Sequence, residues 1–381
     1  MPIQAAGACI HYTRSLIRIP VRTASRSYEV LVERGLLRSS SALLQEVIPS
    51  QAKVFVVSSA PILNLWGGPL IESFTQAGRQ IAVLEMSDGE TSKRLGPLEK
   101  LAVKMIGMGA DRQSVVVALG GGVVGDVAGF LASVFMRGIS VIQIPTTLVA
   151  QVDSAIGGKT GVNLVCGKNL IGTFHQPLAV LVDPEVLSTL PEREYRSGLF
   201  EAMKYGVIRN PQIFELMESK RKALLKHDGE LLERLIIDCV KVKAEVVSAD
   251  ERERGERRIL NFGHTIGHAL ESATRYKHFL HGEAVGWGMV AATAIGKNMN
   301  ITRPETAQRI ISLVLAYESL PTADVSGKRV LKLLQSDKKT MGGVPRFVLP
   351  TEIGKVDVVS NVPASAVVEA VKEITLLSKA R

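Results

Sequence analysis

His264 and His268 stand four residues apart in Asn261–Glu271 (NFGHTIGHALE), a stretch with helical spacing, so their imidazoles share one face. His281 opens the next segment, His281-Gly282-Glu283, and these three of the chain's seven histidines fall within eighteen residues. Neutral imidazole is the commonest protein ligand for a metal, and a carboxylate often completes a catalytic site that keeps one position open. The cluster therefore predicts a divalent-metal site, whereas one such histidine alone reads as a partly buried polar residue. Spacing leaves open which of the three bind and which acid joins them. Upstream, Glu201 and Lys204 lie one turn apart in Gly198–Lys204 (GLFEAMK). Such a pair normally sits in water and contributes about 0.2–0.5 kcal/mol; here apolar neighbours favour burial at a site. Arg257 sits one turn before the histidine helix, within Asp250–Arg258 (DERERGERR), a run whose default reading is a solvated loop. Its position also suits it to face the same cleft.

The other recurrent pattern suits phosphate. Gly120-Gly121-Gly122-Val123-Val124-Gly125-Asp126 follows an apolar β-type run and opens an apolar helix. Glycines let the chain turn and let backbone N–H groups approach a pyrophosphate, and a helix N-terminus adds a favourable dipole. The match to GxGxxG is formal, because the next strand ends in Pro145-Thr146-Thr147 rather than in a ribose-binding acid. A nucleotide turn is preferred over a merely tight strand–helix turn. Asp88-Gly89-Glu90-Thr91-Ser92-Lys93 follows an earlier strand and reads equally as ribose and phosphate contacts or as a polar loop with a helix cap. Asp153–Asn163 (DSAIGGKTGVN), running on to Gly167-Lys168-Asn169, sets two lysines beside glycines. It suits the cradling of anionic oxygens, or else is a glycine-rich surface turn.

The elements that must position these groups divide the chain in two. Lys53–Ser58, Gln80–Glu85, Ser114–Gly120, Ser140–Pro145 and Leu178–Asp183 are Val- and Ile-rich runs, with helical stretches such as Leu98–Met108 and Val123–Met136 between them. Strand–helix alternation with nearly continuous apolar strands predicts a mostly parallel sheet covered on both faces, a Rossmann-like α/β variant. Leu16–Val21 and Tyr28–Glu33 are expected to form a hairpin on its edge. After Asp183-Pro184 long helical patterns take over, at 192–208, 211–225, 230–249, 259–275 and 282–299. The expectation is an N-terminal extension over 1–16, an α/β nucleotide-binding domain over 17–187 and an all-helical domain over 188–381, with the site in the cleft between them.

Composition narrows the class. Hydrophobic content of 46% and charged content of 22% are ordinary for a globular protein. Cys9, Cys166 and Cys239 lie far apart with no CxxC pair, which argues against a disulfide scaffold or thiolate zinc site and fits a reducing cytoplasm. The most apolar stretch, Ser114–Met136, contains Asp126 and five glycines, so it is read as strand and helix rather than as a membrane span. The net charge of +9 is dispersed among only 5% aromatics, which favours small phosphorylated anions over a polyanion groove. Arg14 and Arg18 flank Ser15-Leu16-Ile17 with no apolar run after them, so 1–16 reads as a plain extension rather than a transit peptide.

Taken together, DGETSK, GGGVVGDVAGFLASVFMRG, IPTTLVAQVDSAIGGKTGVN, GKNLIG, GLFEAMKYGVI, LNFGHTIGHALE, HGEAVGWGM and SDKKTMGG closely resemble the 3-dehydroquinate synthases of the sugar-phosphate cyclase superfamily, from about residue 26 to the C-terminus. The resemblance implies a shikimate-pathway lyase that uses recycled NAD+ and a divalent metal, zinc or cobalt. It implies metal ligands Glu201, His264 and His281, and NAD contacts from Asp88, Gly89, Glu90 and Lys93, from Gly122 through Val123, Val124, Gly125 and Asp126, and from Thr146, Thr147, Lys159, Lys168 and Thr189. The phosphorylated seven-carbon sugar acid would meet Asp153, Lys159, Asn169, Lys204, Lys243, Arg257, Asn261, His268 and Lys338. His268, Lys159, Asp153 and Glu253 would take catalytic roles. Arg137 matches a residue that reaches the phosphate across a dimer interface in this family, so a homodimer is expected, without nucleic-acid or membrane partners. One departure stands out: after the Lys53–Ser58 strand the family tends to carry an acid for the adenosine ribose, and this chain reads Ser58-Ser59-Ala60-Pro61. Three rivals remain: a sister cyclase, a metal-dependent alcohol or polyol dehydrogenase of the same superfamily that would release NADH, and a catalytically silent anion- or nucleic-acid-binding protein.

Overall fold

The computed structural model describes residues 16–317, 320–341 and 345–380, with the side chains of 336–341 excepted. A seven-stranded sheet holds β1 (Ile17–Arg22), β2 (Ser27–Val32), β3 (Val54–Ser59), β4 (Ile81–Met86), β5 (Val115–Gly120), β6 (Ser140–Pro145) and β9 (Ala179–Val182), in the order β1-β2-β9-β6-β5-β3-β4. Only β1 and β2 pair antiparallel, as the edge hairpin; every other neighbour is parallel. The central strands are apolar on both faces because both faces are covered. In β3, Val54 and Val56 point into one core while Phe55 and Val57 point into the other, and all four are at most 1% exposed. Each such side chain contributes about 2 kcal/mol by leaving water.

The two cores differ. One lies beneath the helices Leu95–Gly107 and Gly122–Val134 and is built by Met105, Val127 and Leu131 against Val116 and Val141. The other is continuous from Val117 and Ile142 of the sheet to Phe200, Val240 and Trp287 of the helical half. The helical half therefore serves as the cover of one sheet face, which fixes its position relative to the strand ends. Chain order reverses between β3 and β5, and ligands of open α/β sheets bind outside the strand C-termini at such a switch point.

In the second half, His281–Asn298 is the central helix, buried without interruption from Gly282 to Gly296. That complete burial is why its sequence shows no polar face. It crosses the start of the His264–Ala273 helix so closely that a Cβ on Gly288 would lie 1.8 Å from the Gly263 carbonyl oxygen. Glu192–Ile208, Pro304–Ala316, Gly327–Met341 and Ala364–Lys379 pack on this pair, and Gly229–Ala249 packs on Glu192–Ile208.

Two hairpins lie outside the sequence expectation. β7 (Lys159–Leu164) and β8 (Gly167–Phe174) pair antiparallel where the sequence suggested a loop. The half expected to be all-helical also carries β10 (Phe347–Glu352) and β11 (Lys355–Val359), turned at Gly354. Phe347, Val348 and Leu349 are buried, so this hairpin closes an edge of the helical core. Ser114–Met136 resolves into β5 and the Gly122–Val134 helix, and among the described residues no helix is long and apolar enough to cross a membrane. Residues 1–15 lie outside the described residues.

Candidate active site

The crevice at the strand ends is made largely of backbone. Gly121 caps the helix that starts at Gly122, and a Cβ there would lie 2.9 Å from the Thr147 methyl, so the turn rests directly on the end of β6. The Thr146 amide donates to the Gly120 carbonyl at 3.0 Å and the Gln143 amide to the Gly125 carbonyl at 3.1 Å, which hold turn and strand together. Val124 packs over Gly120, and Val123 stands beside it on the first helical turn. Two buried hydroxyls here have no hydrogen-bond partner, Thr146 Oγ1 and Ser59 Oγ. Ser58, by contrast, donates to the Leu119 carbonyl at 2.6 Å. Exposed helix-start amides, a cradle that a side chain would fill and orphaned hydroxyls suit the pyrophosphate and ribose of a dinucleotide.

Side chains rim this crevice. Lys93, only 4% exposed, bonds both Asp126 and the Asn169 side-chain oxygen. Burial raises the Asp126 carboxyl above its ordinary range, with Lys93 opposing. The Asn163 amide donates to Glu90 at 2.7 Å, tying the Asp88–Lys93 turn to the β7–β8 hairpin. Asp88 accepts from the Gly89 amide at 2.8 Å. Thr189, on the turn after β9, accepts from the Trp66 indole at 2.8 Å.

Glu201 is fully buried on the Glu192–Ile208 helix. Its Oε1 lies 3.1 Å from His281 Nε2 and 3.6 Å from His264 Nε2, and its Oε2 lies 2.7 Å from Lys204 Nζ. These are ion-pair distances, yet neither carboxylate oxygen has a partner in hydrogen-bond geometry. Burial alone would raise this carboxyl; Lys204, His264 and His281 together hold it well below the usual range. His264 is pushed down by burial to about 3, so its ring is neutral. Its Nδ1 faces the Phe262 carbonyl at 3.1 Å, which can only accept, leaving the Nε2 lone pair for a metal. At His281, burial is outweighed by the Glu201 and Glu271 carboxylates on its two sides, which raise it to about 10. A cation is thus already favoured where the three groups meet. Ligand atoms of His264, His268 and His281 converge within 4.8 Å, as do those of Asp153, Glu201 and His264. A buried carboxylate that makes ion pairs but no aligned hydrogen bond, beside converging imidazoles, fits a divalent metal in its donor chemistry. His268 is exposed toward the cleft, its ring 5.4 Å from that of His264.

Beside this cluster lies a buried set of alternating charge. Asp153 takes a hydrogen bond from the Tyr205 hydroxyl at 2.7 Å, an ion pair from Lys204 at 3.4 Å and another from Lys243. Burial opposes its ionisation, but the two lysines hold it well below the ordinary value. Burial, with Arg257 and Lys204 nearby, pushes Lys243 down to about 8. Lys159 pairs with Glu253, which also accepts from the Asn261 amide. Arg257 is 1% exposed, and its guanidinium bonds the Gly157 and Glu251 carbonyls. Gly157 has a φ of 100° and stands where a Cβ would lie 2.5 Å from that guanidinium. Arg257 therefore braces the start of the lysine hairpin.

The structure thus gathers most of the residues that the sequence singled out. Arg137 stands apart: it is exposed at the far end of the 13-residue Gly122–Val134 helix, roughly 20 Å from the glycine turn. The side chain of Lys338, on the Gly327–Met341 helix, lies outside the described residues. Sequence reasoning passed over Tyr205 and Glu271. Their positions carry a pattern: Glu201, Lys204 and Tyr205 follow i, i+3, i+4, and His264, His268 and Glu271 follow i, i+4, i+7.

Residues 83–197 match the family described as 3-dehydroquinate synthase N-terminal, and residues 198–340 that described as 3-dehydroquinate synthase C-terminal. The 3-dehydroquinate synthase of Koribacter versatilis (strain Ellin345) is 56% identical over 361 residues, 95% of this chain and 99% of that one. The solved structure of ValA (2-epi-5-epi-valiolone synthase) from Streptomyces hygroscopicus subsp. jinggangensis 5008, with NAD+ and Zn2+ bound, is similar at a TM-score of 0.85 and 27% identity, over 92% of this chain and 98% of that one. That of 2-deoxy-scyllo-inosose synthase, complexed with carbaglucose-6-phosphate, NAD+ and Co2+, is similar at 0.84 and 27% identity, over 94% of this chain and 100% of that one.

Proposed function

The chain belongs to the 3-dehydroquinate synthase family, and we propose on that premise how its residues divide the family reaction between them. It is an NAD- and metal-dependent lyase of the shikimate pathway that converts 3-deoxy-D-arabino-heptulosonate 7-phosphate into 3-dehydroquinate and phosphate. When bound, NAD+ would supply reversible hydride transfer at a ring carbinol, and the divalent metal, zinc or cobalt, would supply Lewis acidity there.

Glu201, His264 and His281 would hold the metal, and the observation that carries this reading is the fully buried Glu201 carboxylate, without hydrogen-bond partners, beside two imidazoles. The Gly120–Gly122 turn, Thr146 and Thr147 would hold the pyrophosphate, with Asp88, Glu90, Lys93 and Lys168 at the rim and Thr189 on the turn after β9. Lys159, Lys204, Lys243 and Asn261 would orient the anionic substrate, with Asn169 at its edge and Arg257 fixing the hairpin that presents Lys159. His268, exposed in the cleft, would relay a proton at its ring nitrogens. Asp153 favours the charged forms of Lys204 and Lys243 and holds them in place, and Glu253 holds Lys159 in place. Lys338 would join them from the Gly327–Met341 helix.

A homodimer belongs to the same proposal. Arg137 stands roughly 20 Å from the glycine turn of its own chain, and it, Val134 and Met136 are exposed. A second copy would bring it to a neighbouring site. The division near residue 187, a cytoplasmic location and the absence of nucleic-acid or membrane partners complete the reading.

The test is phosphate release from the heptulosonate phosphate with catalytic NAD+, with and without EDTA. Stoichiometric phosphate, no net NADH and loss of activity on chelation are expected. Net NADH would indicate a dehydrogenase. No phosphate despite bound NAD+ and metal would point to a sister cyclase, and full activity after thorough chelation would remove the metal from the reaction.

A further inference from the structure

Glu271 lies on the same helix as His264 and His268, is 3% exposed, and is used by nothing described so far except as a neighbour of His281. Its two oxygens are divided. Oε2 is 3.4 Å from His281 Nδ1, on the opposite side of the ring from the Nε2 that faces Glu201. Oε1 is 3.1 Å from the ammonium of Lys168 on β8, which itself sits 4.3 Å over the Tyr276 ring. A carboxylate at this depth persists only when each oxygen is answered, and here one answer is an imidazole that the metal site requires.

We propose that Glu271 is a positioning residue of the metal site, whose carboxylate fixes the ring and tautomer of His281 so that Nε2 is turned toward Glu201. The proposal rests on the metal reading given above. Geometry supports it twice over. His264 receives the same treatment from the Phe262 carbonyl at 3.1 Å, so each of the two imidazoles has an acceptor behind its Nδ1. The two acceptors differ in charge, and an anionic acceptor makes the ring a stronger donor to the metal than a neutral one does. Lys168 keeps that acceptor ionised from the other side. His281 opens its helix and is the more exposed of the two rings, 35% at its side chain against 11% for His264, so it has less packing to hold it. It is the ligand that most needs an outer partner.

The experiment is Zn2+ affinity by chelator competition, together with the Co2+ absorption spectrum, for the native protein, Glu271→Gln, Glu271→Asp and Glu201→Ala. Glu271→Gln keeps shape and one acceptor but loses the charge; Glu271→Asp keeps the charge and withdraws it by one methylene. Both are expected to bind Zn2+ about 10–100-fold more weakly, with altered Co2+ bands and with melting of the metal-free protein near native. Affinity within about threefold of native and an unchanged spectrum for a folded Glu271→Gln would overturn the proposal. If Glu201→Ala binds Zn2+ as tightly as native, the metal reading fails and this inference falls with it. If Glu201→Ala abolishes binding while both Glu271 variants bind normally, only this inference fails.

Discussion

On the sheet side of the cleft, the groups that would meet a nucleotide are backbone amides and hydroxyls: the Gly120–Gly122 turn, Thr146 Oγ1 and Ser59 Oγ. On the opposite side they are ionised side chains out of water, Glu201, Lys204 and Lys243 from the helical half and Asp153 meeting them from the segment after β6, each next to an opposite charge. The sheet side takes the geometry of its glycine turn from strand pairing, and its one buried ion pair, Lys93 with Asp126, lies at the rim. The helical side takes its geometry from mutual cancellation, because every charge there is tolerable only while its partner stays. The difference teaches where each function can be disturbed: the nucleotide crevice by volume, the metal and substrate pocket by charge.

The largest effect should come from the helical side. Glu201→Ala removes the carboxylate against which Lys204, His264 and His281 are all arranged. Losing a Lewis acid worth several kcal/mol should lower kcat by about 10³-fold or more. NAD+ affinity, measured by fluorescence titration, should stay within about twofold of native, well under the ~1.4 kcal/mol that a tenfold change requires. A parallel loss of NAD+ affinity would break the separation of the two walls.

Asp153→Asn comes next. It leaves Lys243 without an anionic partner and Lys204 with only Glu201, at sites 8% and 0% exposed. Breaking a buried pair from one side costs about 3 kcal/mol, which urea unfolding of the variant against native would read. The matching change on the sheet side is smaller and different in kind. Gly121→Ala drives a methyl to within 2.9 Å of Thr147, a strain of about 1–2 kcal/mol. NAD+ affinity should fall about tenfold, while Zn2+ affinity should not change. Should Zn2+ affinity drop as well, the walls would be coupled more tightly than the two separate sets of contacts imply.

How much of this was legible in the sequence follows the same division. The central strands and the glycine turn could be read because their pattern is local: Val115–Gly120 is apolar throughout, and a glycine run opens the helix behind it. Within the metal site, the histidines could be found by spacing, but Glu201 could not be attached to them, since it arrives from a helix some sixty residues earlier and its acidity looks like half of a surface pair. Glu271 was hidden in the same way, because its meaning depends on Lys168, 103 residues away. The β7–β8 hairpin was obscured by its glycines and lysines, and β8 is largely exposed, so neither strand carries a clear alternation. Arg257 was expected in the cleft. The structure sets its guanidinium on two backbone carbonyls, that of Gly157 in the positive-φ turn and that of Glu251 in its own loop.

The smallest effect is also the most specific to the charged wall. Lys243 is the one cation of the Asp153 set pushed downward, to about 8, by burial and by Arg257 and Lys204, with Asp153 only partly offsetting them. Its charge is therefore present below that pH and is lost as pH rises through it, whereas a lysine in water would keep its charge to beyond pH 10. If Lys243 helps hold an anionic substrate, KM should about double by pH 8 and rise roughly tenfold per unit above it. Lys243→Arg, whose charge does not titrate in this range, should give a weaker binder with a flat KM between pH 7 and 9. NAD+ affinity, which rests mainly on the backbone turn and does not involve Lys243, should show no such limb in either protein. A limb of equal size in both KM and NAD+ affinity would mean that the titrating group serves the whole cleft, and a limb that survives Lys243→Arg would assign it to another residue.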